Sequence, residues 1–517
     1  MDRKWWTLIA VCIGVFMLLL DITIVNVALP AIETAFKASL SDLQWVIDAY
    51  ALTLAALLLT AGSLADLFGR RIVFATGIVI FTLGSILCGL AQSATMLSLS
   101  RGFQGIGGAI MFATALALLA QAFEPKERHI AFAAFGAVTG VAVAVGPVLG
   151  GILTSGLSWR WIFFVNAPIG VFALAVTLMR VAESKLPGAP RPDLPGFITF
   201  SLSLAGLVYG LIESEPDGWG STTVVVSLAA AAVLMATFLV IERRSARPML
   251  DLGLLRVPTF NGGLAAAWGI SASIFSLLTY LTIYIQNILG YSAVQAGIRF
   301  LPFTGVIFIT AAVAGRLTAI VQTRFLIAGG FGLLTVGMLL MRGLTAAEGW
   351  THFLPGFIVA GVGSGLINVP LASTAVGVVR PERAGMASGI NSTFRQVGIA
   401  TGVAALGSIL ASLVKSHVVS GVAGTALARH GAALGTAVSS GSLASAARAV
   451  PGPEQHLLFS VAKVGYVDAL NAILLIGAII AAAAAIVTLA LIRQKDFHPA
   501  GAPSPEAASA PPEPVTA

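Results

Sequence analysis

Apolar runs of membrane-crossing length follow one another along this chain almost without pause, separated by short connections that hold most of the charge. A helix needs roughly 20 apolar residues to cross a bilayer. Setting runs against breakers predicts fourteen such helices, over 7–29, 44–65, 72–92, 96–120, 130–154, 161–180, 196–213, 221–241, 260–287, 298–319, 325–342, 352–378, 386–413 and 467–492. The first run is long for a signal sequence, holds Asp21 and reaches Pro30 without a small-residue cleavage pattern. It is expected to remain as a span. Asp21, Asp48 and Arg101 interrupt these runs at depths where lipid would surround a lone helix, and charges kept there usually line a pathway.

Composition fixes the class as an all-α polytopic membrane protein. Hydrophobic residues make up 57% of the 517 and charged residues 10%, with a mean hydropathy of +0.95, where soluble chains carry roughly a quarter charged residues. Arg3, Lys4, Arg70, Arg71, Lys126, Arg180, Arg243, Arg244 and Arg493 fall in one alternating set of connections, and few basic residues fall in the other. That bias predicts a multi-pass protein of the plasma (inner) membrane with both termini cytoplasmic. The formal charge of +7 then belongs to one rim, which argues against a nucleic-acid partner. Cys12, Cys88 and the six histidines show no ligand spacing, so neither metal nor cofactor is expected.

The longest connections of the basic set, 181–195 and 242–259, bracket 196–241. The expected organisation is a six-helix bundle over 1–195, an inserted helix pair over 196–241, and a second six-helix bundle over 242–498. The last bundle would carry a long outer segment at 415–466, rich in Ala, Gly, Ser and Val, which suits either a mobile loop or a loosely hydrophobic hairpin. The tail 499–517, dominated by Pro, Ala and Glu, is expected to be a disordered cytoplasmic extension.

Several constellations carry chemistry. A carboxyl removed from water, as Asp21 would be, can take and release a proton or attract a cationic solute. Asp48, one turn in from a helix end, could do either with more access to water. Arg101, Gln104, Gly105 and Gly108 share one helical face, where small residues admit a neighbouring helix and the arginine can balance a buried acid. Gly62, Asp66, Gly69, Arg70 and Arg71 form a connection in which Asp66 could pair with an arginine or accept backbone N–H bonds from a helix start. Gly146, Pro147, Gly150 and Gly151 mark a helix that bends and packs closely. Asn391 and Arg395, four apart, share a face toward a central route, and Arg299 precedes Pro302 near a helix end. Trp45, Tyr50, Trp159, Trp161, Trp219 and Trp350 suit an interfacial belt.

These residues resemble the major facilitator superfamily and, within it, the fourteen-helix drug:proton antiporters of the DHA2 group, similar to the EmrB/QacA proteins. Gly62 to Arg71, Arg101 to Ala109 and Gly136 to Gly151 resemble the signatures of the second connection, the proton-coupling fourth helix and the antiporter fifth helix. Asp21 to Pro30 and Trp159 to Gly170 are similar to signatures of helices one and six of the group. Leu67 departs from the pattern, standing where a basic residue is common. The resemblance implies two six-helix bundles plus two extra transmembrane helices, alternately exposing a central cavity; it does not fix which carboxylate carries the proton, for which Asp21 with Arg101 as its electrostatic partner is favoured and Asp48 is the alternative. Asn26, Asp48, Gln104, Asn166, Asn391 and Arg395 are the candidate substrate-binding residues. The expected activity is proton-coupled export of amphipathic, often cationic or aromatic compounds, by a non-enzymatic transporter working as a monomer in lipid. Dedicated export of one natural product and proton-coupled import are the alternatives. The chain holds no Walker A motif, which disfavours an ATP-driven pump within it.

Overall fold

The computed structural model describes residues 2–123, 127–184, 193–245, 248, 250, 252–318, 320–379, 384–440, 443, 447 and 450–497. All the regular structure there is helical. The first seven helices are α1 (Arg3–Phe36), α2 (Leu40–Phe68), α3 (Arg70–Gly89), α4 (Ala94–Ala122), α5 (Arg128–Gly156), and α6 (Trp161–Phe164) with α7 (Asn166–Arg180) as one interrupted span. Then come α8 (Leu194–Asp217) and α9 (Thr222–Arg244). The remainder is α10 (Pro258–Ile270), α11 (Ser276–Ile283), α12 (Ala293–Leu317), α13 (Thr323–Met341), α14 (Leu354–Gly377), α15 (Ala384–Gly421), α16 (Gly431–Ser440) and α17 (Gly452–Leu491).

Local chemistry sets many of the ends. Ser39 with Asp42 and Ser292 with Gln295 form capping boxes that satisfy the first amides of α2 and α12. The Asp193, Ser93 and Ser221 side chains cap α8, α4 and α9. Pro30, Pro147, Pro302 and Pro370 lie inside helices, which neighbouring helices permit within a membrane. Two π-helical turns, Ser271–Phe275 and Tyr284–Ile288, sit between and after α10 and α11, so that 258–288 runs as one span.

Thirteen helices among the described residues are long and apolar enough to cross a membrane. The expected span 44–65 lies within α2, a 29-residue helix. The segment 415–466 is not an open loop where described. There α15 runs on to Gly421, α16 follows, and α17 begins at Gly452, with Val418, Val422, Leu427, Leu434 and Leu458 buried in the large core of the C-terminal helices. The tail 499–517 lies outside the described residues.

Two buried cores fill the N-terminal helices, one around Val15, Phe74 and Met111 and one around Ile24, Val46 and Phe163. The large core spans Ala266 to Ile492. α2 packs along α15 and α5 along α12, joining the two sets. The α8–α9 pair lies against α2 and α15 through Leu204, Val208 and Ile212, which meet Ala51, Ala55, Ala400 and Ala404.

Close helix contact rests on missing side chains. A Cβ at Gly84 on α3 would stand 2.6 Å from the Gln104 Cα on α4, whereas one at Gly136 on α5 would meet nothing within 4 Å. Replacing a helical glycine with alanine ordinarily stabilises by about 1 kcal/mol. Gly84→Ala is expected instead to destabilise by about 1–3 kcal/mol through overpacking, with Gly136→Ala neutral or stabilising. Thermal melting of the purified protein in detergent checks the opposite signs.

Candidate functional site

Asp21 of α1 is fully buried and faces α4. Its Oδ2 is ion-paired with Arg101 Nη1. Its Oδ1 accepts hydrogen bonds from Gln104 Nε2 (2.8 Å) and Asn166 Nδ2 (3.1 Å). The same two amides donate to Ser85 Oγ on α3, at 2.6 and 3.1 Å. Arg101 Nη1 also donates to Gln104 Oε1 (2.7 Å), and Arg101 Nε to the Val46 carbonyl of α2 (3.1 Å). The guanidinium lies 4.2 Å from the centre of the Tyr50 ring, a favourable place for a cation. Five helices thus converge on one ion pair.

The local sequence explains the convergence. Arg101 and Gln104 lie one turn apart on α4, so both reach α1. Gly84 brings the backbone of α3 against Gln104, which puts the neighbouring Ser85 in reach, and Gly105 brings α4 against the Tyr50 carbonyl, 2.7 Å from an added Cβ. Tyr50 is therefore no interfacial belt residue; it is buried beneath Arg101, and Trp159 is likewise buried in the core, while Trp161 and Trp219 are exposed. Gln104 and Asn166, expected at the substrate, serve the Asp21 carboxylate. Ser85 was not singled out by the sequence; an interior serine carries no signal until its neighbours are known.

Asp48 does not have the expected access to water. It is fully buried, and neither carboxylate oxygen has a hydrogen-bond partner. One turn away on the same helix, Gln44 Nε2 donates to the Val403 carbonyl of α15 (3.0 Å), which also accepts from the Tyr280 hydroxyl. These bonds tie α2 to α15 and α11.

Between the two helix sets lies a cavity of ≈ 60 Å³, bordered by Ile22, Thr23 and Asn26 of α1, Thr279 and Thr282 of α11, and Thr304 of α12. Phe275, Phe300, Ile399 and Val403 complete much of its apolar wall. Asn26 Oδ1 accepts a hydrogen bond from Thr279 Oγ1 (3.1 Å), bridging the sets. Drug-sized sites measure about 300–1,000 Å³, so the cavity is contracted here. On α5, an added Cβ at Gly150 would come 2.8 Å from Ile24, and at Gly151 2.6 Å from the Ala293 carbonyl of α12; Gly146 abuts Thr23 and Gly297 abuts Pro147. The glycines let α5 wedge between α1 and α12.

The remaining candidates disperse. Asn391 Nδ2 donates to the Gly263 carbonyl (3.3 Å), and Arg395 Nη2 donates to Asn368 Oδ1 (2.9 Å). Arg299 stacks on Tyr291, 3.6 Å from the ring centre. At the start of α3, Gly69 adopts φ +113 and Gly62 has open space beside it. The Arg71 and Ile72 amides donate to the Glu183 carboxylate at 3.0 and 3.2 Å, and the Arg70 amide to the Ser184 carbonyl at 2.9 Å. Glu183, not anticipated from the sequence, thus fills a role expected of Asp66, whose side chain lies outside the described residues. Lys4 and Glu127 form a further ion pair on this face, 2.9 Å apart.

Residues 11–403 match the Major Facilitator Superfamily. The chain is 40% identical over 407 residues to the multidrug resistance protein Stp of Mycobacterium tuberculosis, covering 78% of this chain and 76% of that one. It is 38% identical to the puromycin resistance protein pur8 of Streptomyces alboniger, covering 79% and 82%. Among solved structures, a bacterial homologue of the human lysosomal transporter Spinster has the same fold, with a TM-score of 0.63 at 15% identity and coverage of 96% and 99%.

Removing one partner of a buried pair strands the other charge, at about 3–5 kcal/mol. Arg101→Ala is expected to lower thermal stability by that order, and adding Asp21→Asn to recover part of it. Equal melting of the wild type and Arg101→Ala would contradict the central place of the pair.

Proposed function

The chain belongs to the Major Facilitator Superfamily, as a multidrug transporter of the DHA2 type and not an enzyme, and from that premise we propose that it exports amphipathic drugs or antibiotics across the plasma membrane in exchange for protons. The observation that carries this reading is the double use of α1. Asp21 holds the ion pair with Arg101 on one side of the helix, and the next residues, Ile22, Thr23 and Asn26, border the cavity.

A proton placed on the Asp21 carboxyl cancels its charge and removes the ion pair, while Gln104 and Asn166 can still hydrogen-bond its carbonyl oxygen. Arg101 then loses its counter-charge, and α1 its main polar tie to α4. Because α1 touches the cavity wall at the adjacent position, the two occupancies compete through one rigid element. Coupling of this kind needs each ligand to favour a different arrangement of that element.

Alternating access would be carried by the contacts between the helix sets. Gln44 and Tyr280 meeting Val403, and α5 packed on α12 through Gly151 and Gly297, would close the route on the side away from the termini. The separation into bundles 1–195 and 242–498 with the pair 196–241 would let the halves rock, and Glu183 on the start of α3 with Lys4–Glu127 would hold the cytoplasmic rim. Recognition of cations would fall to Asp48, which stands next to Ile47 of the wall but does not itself border the cavity.

The similarity to Stp, named for multidrug resistance, supports broad specificity. The similarity to pur8, named for puromycin resistance, favours the second reading of export of a single natural product. The experiment is proton release from liposomes holding the purified protein and an internal pH-sensitive dye, on adding structurally unrelated aromatic compounds. Substrate-dependent flux is expected, with Asp21→Asn reducing it to the protein-free level while eluting as a folded monodisperse protein. Normal coupled flux in Asp21→Asn would refute the role of Asp21.

A further inference from the structure

Arg395 is an intramembrane cation that the Asp21 network does not use. It lies on α15, half-buried, and its guanidinium has one hydrogen-bond partner among the described residues, the neutral Asn368 amide oxygen of α14 at 2.9 Å. No described carboxylate stands close enough to neutralise it. A cation kept within a membrane normally pairs with an acid or faces a water-filled route. Arg101 follows that rule, paired with Asp21.

Its position suggests what completes the pair. Ile399 and Val403 border the central cavity, and Arg395, Ile399 and Val403 follow one another at four-residue steps on one face of α15. Arg395 therefore stands one helical turn, about 5.4 Å along the axis, beyond the cavity wall, toward the end of α15 that begins at Ala384. Asn368 orients the guanidinium, and its own Nδ2 is anchored on the Ser364 carbonyl at 2.9 Å. Ser364 also keeps a buried hydroxyl without a partner. The group is rich in donors, and the cavity next to it holds threonine hydroxyls, Asn26 and aromatic rings but no carboxylate.

We propose that Arg395, steadied by Asn368, is an anion subsite one helical turn beyond the cavity wall, where, once the route opens to it, it receives the carboxylate, sulfonate or phenolate of an amphipathic aromatic substrate whose ring system fills the apolar cavity. This rests on the export reading and narrows it to acids and zwitterions. An arginine provides a planar fork for such a group, which lysine reproduces in charge but not in shape. The substrate then brings the negative charge that the protein withholds at this point.

The test uses two dyes with one aromatic scaffold, anilinonaphthalene sulfonate and its uncharged parent phenylnaphthylamine, titrated against the purified full-length protein. Arg395→Gln is expected to weaken the sulfonate by about tenfold or more, a loss of one decade in Kd, while changing the uncharged dye less than twofold. Arg395→Lys should recover part of the difference, and Asn368→Ala should blunt discrimination between Arg and Lys. Parallel weakening of both dyes would make Arg395 a positioning residue of the protein's own network and overturn the subsite, as would no change in either. Efflux of both dyes from liposomes separates the two readings. Export of both that ignores residue 395 would reject the anion subsite and leave drug export standing. Selective sulfonate binding without any proton-coupled efflux would keep the subsite and reject export.

Discussion

The ion pair between Asp21 and Arg101 is the interaction on which the N-terminal helices depend. Neither charge could be left alone in the interior without a penalty of several kcal/mol, so each must be met with fitted partners. Gln104, Asn166 and Ser85 meet the carboxylate and its neighbouring amides, while the Val46 carbonyl and the Tyr50 ring meet the guanidinium. The pair and these partners together draw on five helices, which makes the pair a register mark. If α4 slid by one residue relative to α1, Arg101 and Gln104 would both leave Asp21. The glycines of α3 and α4 act in concert with it, since hydrogen bonds of this length require backbones nearly in contact.

Much of this was legible in the chain. Asp21 and Arg101 stood out because a charge in an apolar run is rare enough to demand a reason, and the spacing of Arg101 and Gln104 placed them on one face. Their companions were harder to find. Whether Asn166 serves the substrate or the carboxylate depends on which face of α7 meets α1, and that is decided by packing of residues far apart in sequence. Tyr50 shows the same limit: its position near a helix end suggested the membrane interface, but it lies beneath a cation. Asp48 was expected to meet water because depth along a helix was the only coordinate the sequence offered, whereas contact with α15 and α11 determines its burial.

The segment 415–466 makes a related point about composition. Alanine, glycine, serine and valine left loop and hairpin undecided, since small residues give a weak periodic signal. Small side chains also permit close packing, and the buried Val418, Val422 and Leu434 show that enough apolar groups were spaced to continue the core of the C-terminal helices beyond the expected span. Glu183 is the complementary case at the other face, a single acid in a short connection whose importance comes from the two amides it meets at the start of α3.

The one-residue separation of the ion pair from the cavity wall along α1 also constrains how such a protein can diversify. Thr23 and Asn26 could be altered to admit new compounds, but changes there disturb the helix that holds Asp21, and under the proposed proton exchange a loosened grip would let protons pass without cargo. Thr279, Thr282 and Thr304 border the same cavity from helices that take no part in the ion pair. Under the proposed exchange, variation at Thr282 and Thr304 would spare α1, whereas Thr279 is tied to it through Asn26, so the range of compounds could drift at those two positions while the gearing is kept on the other wall.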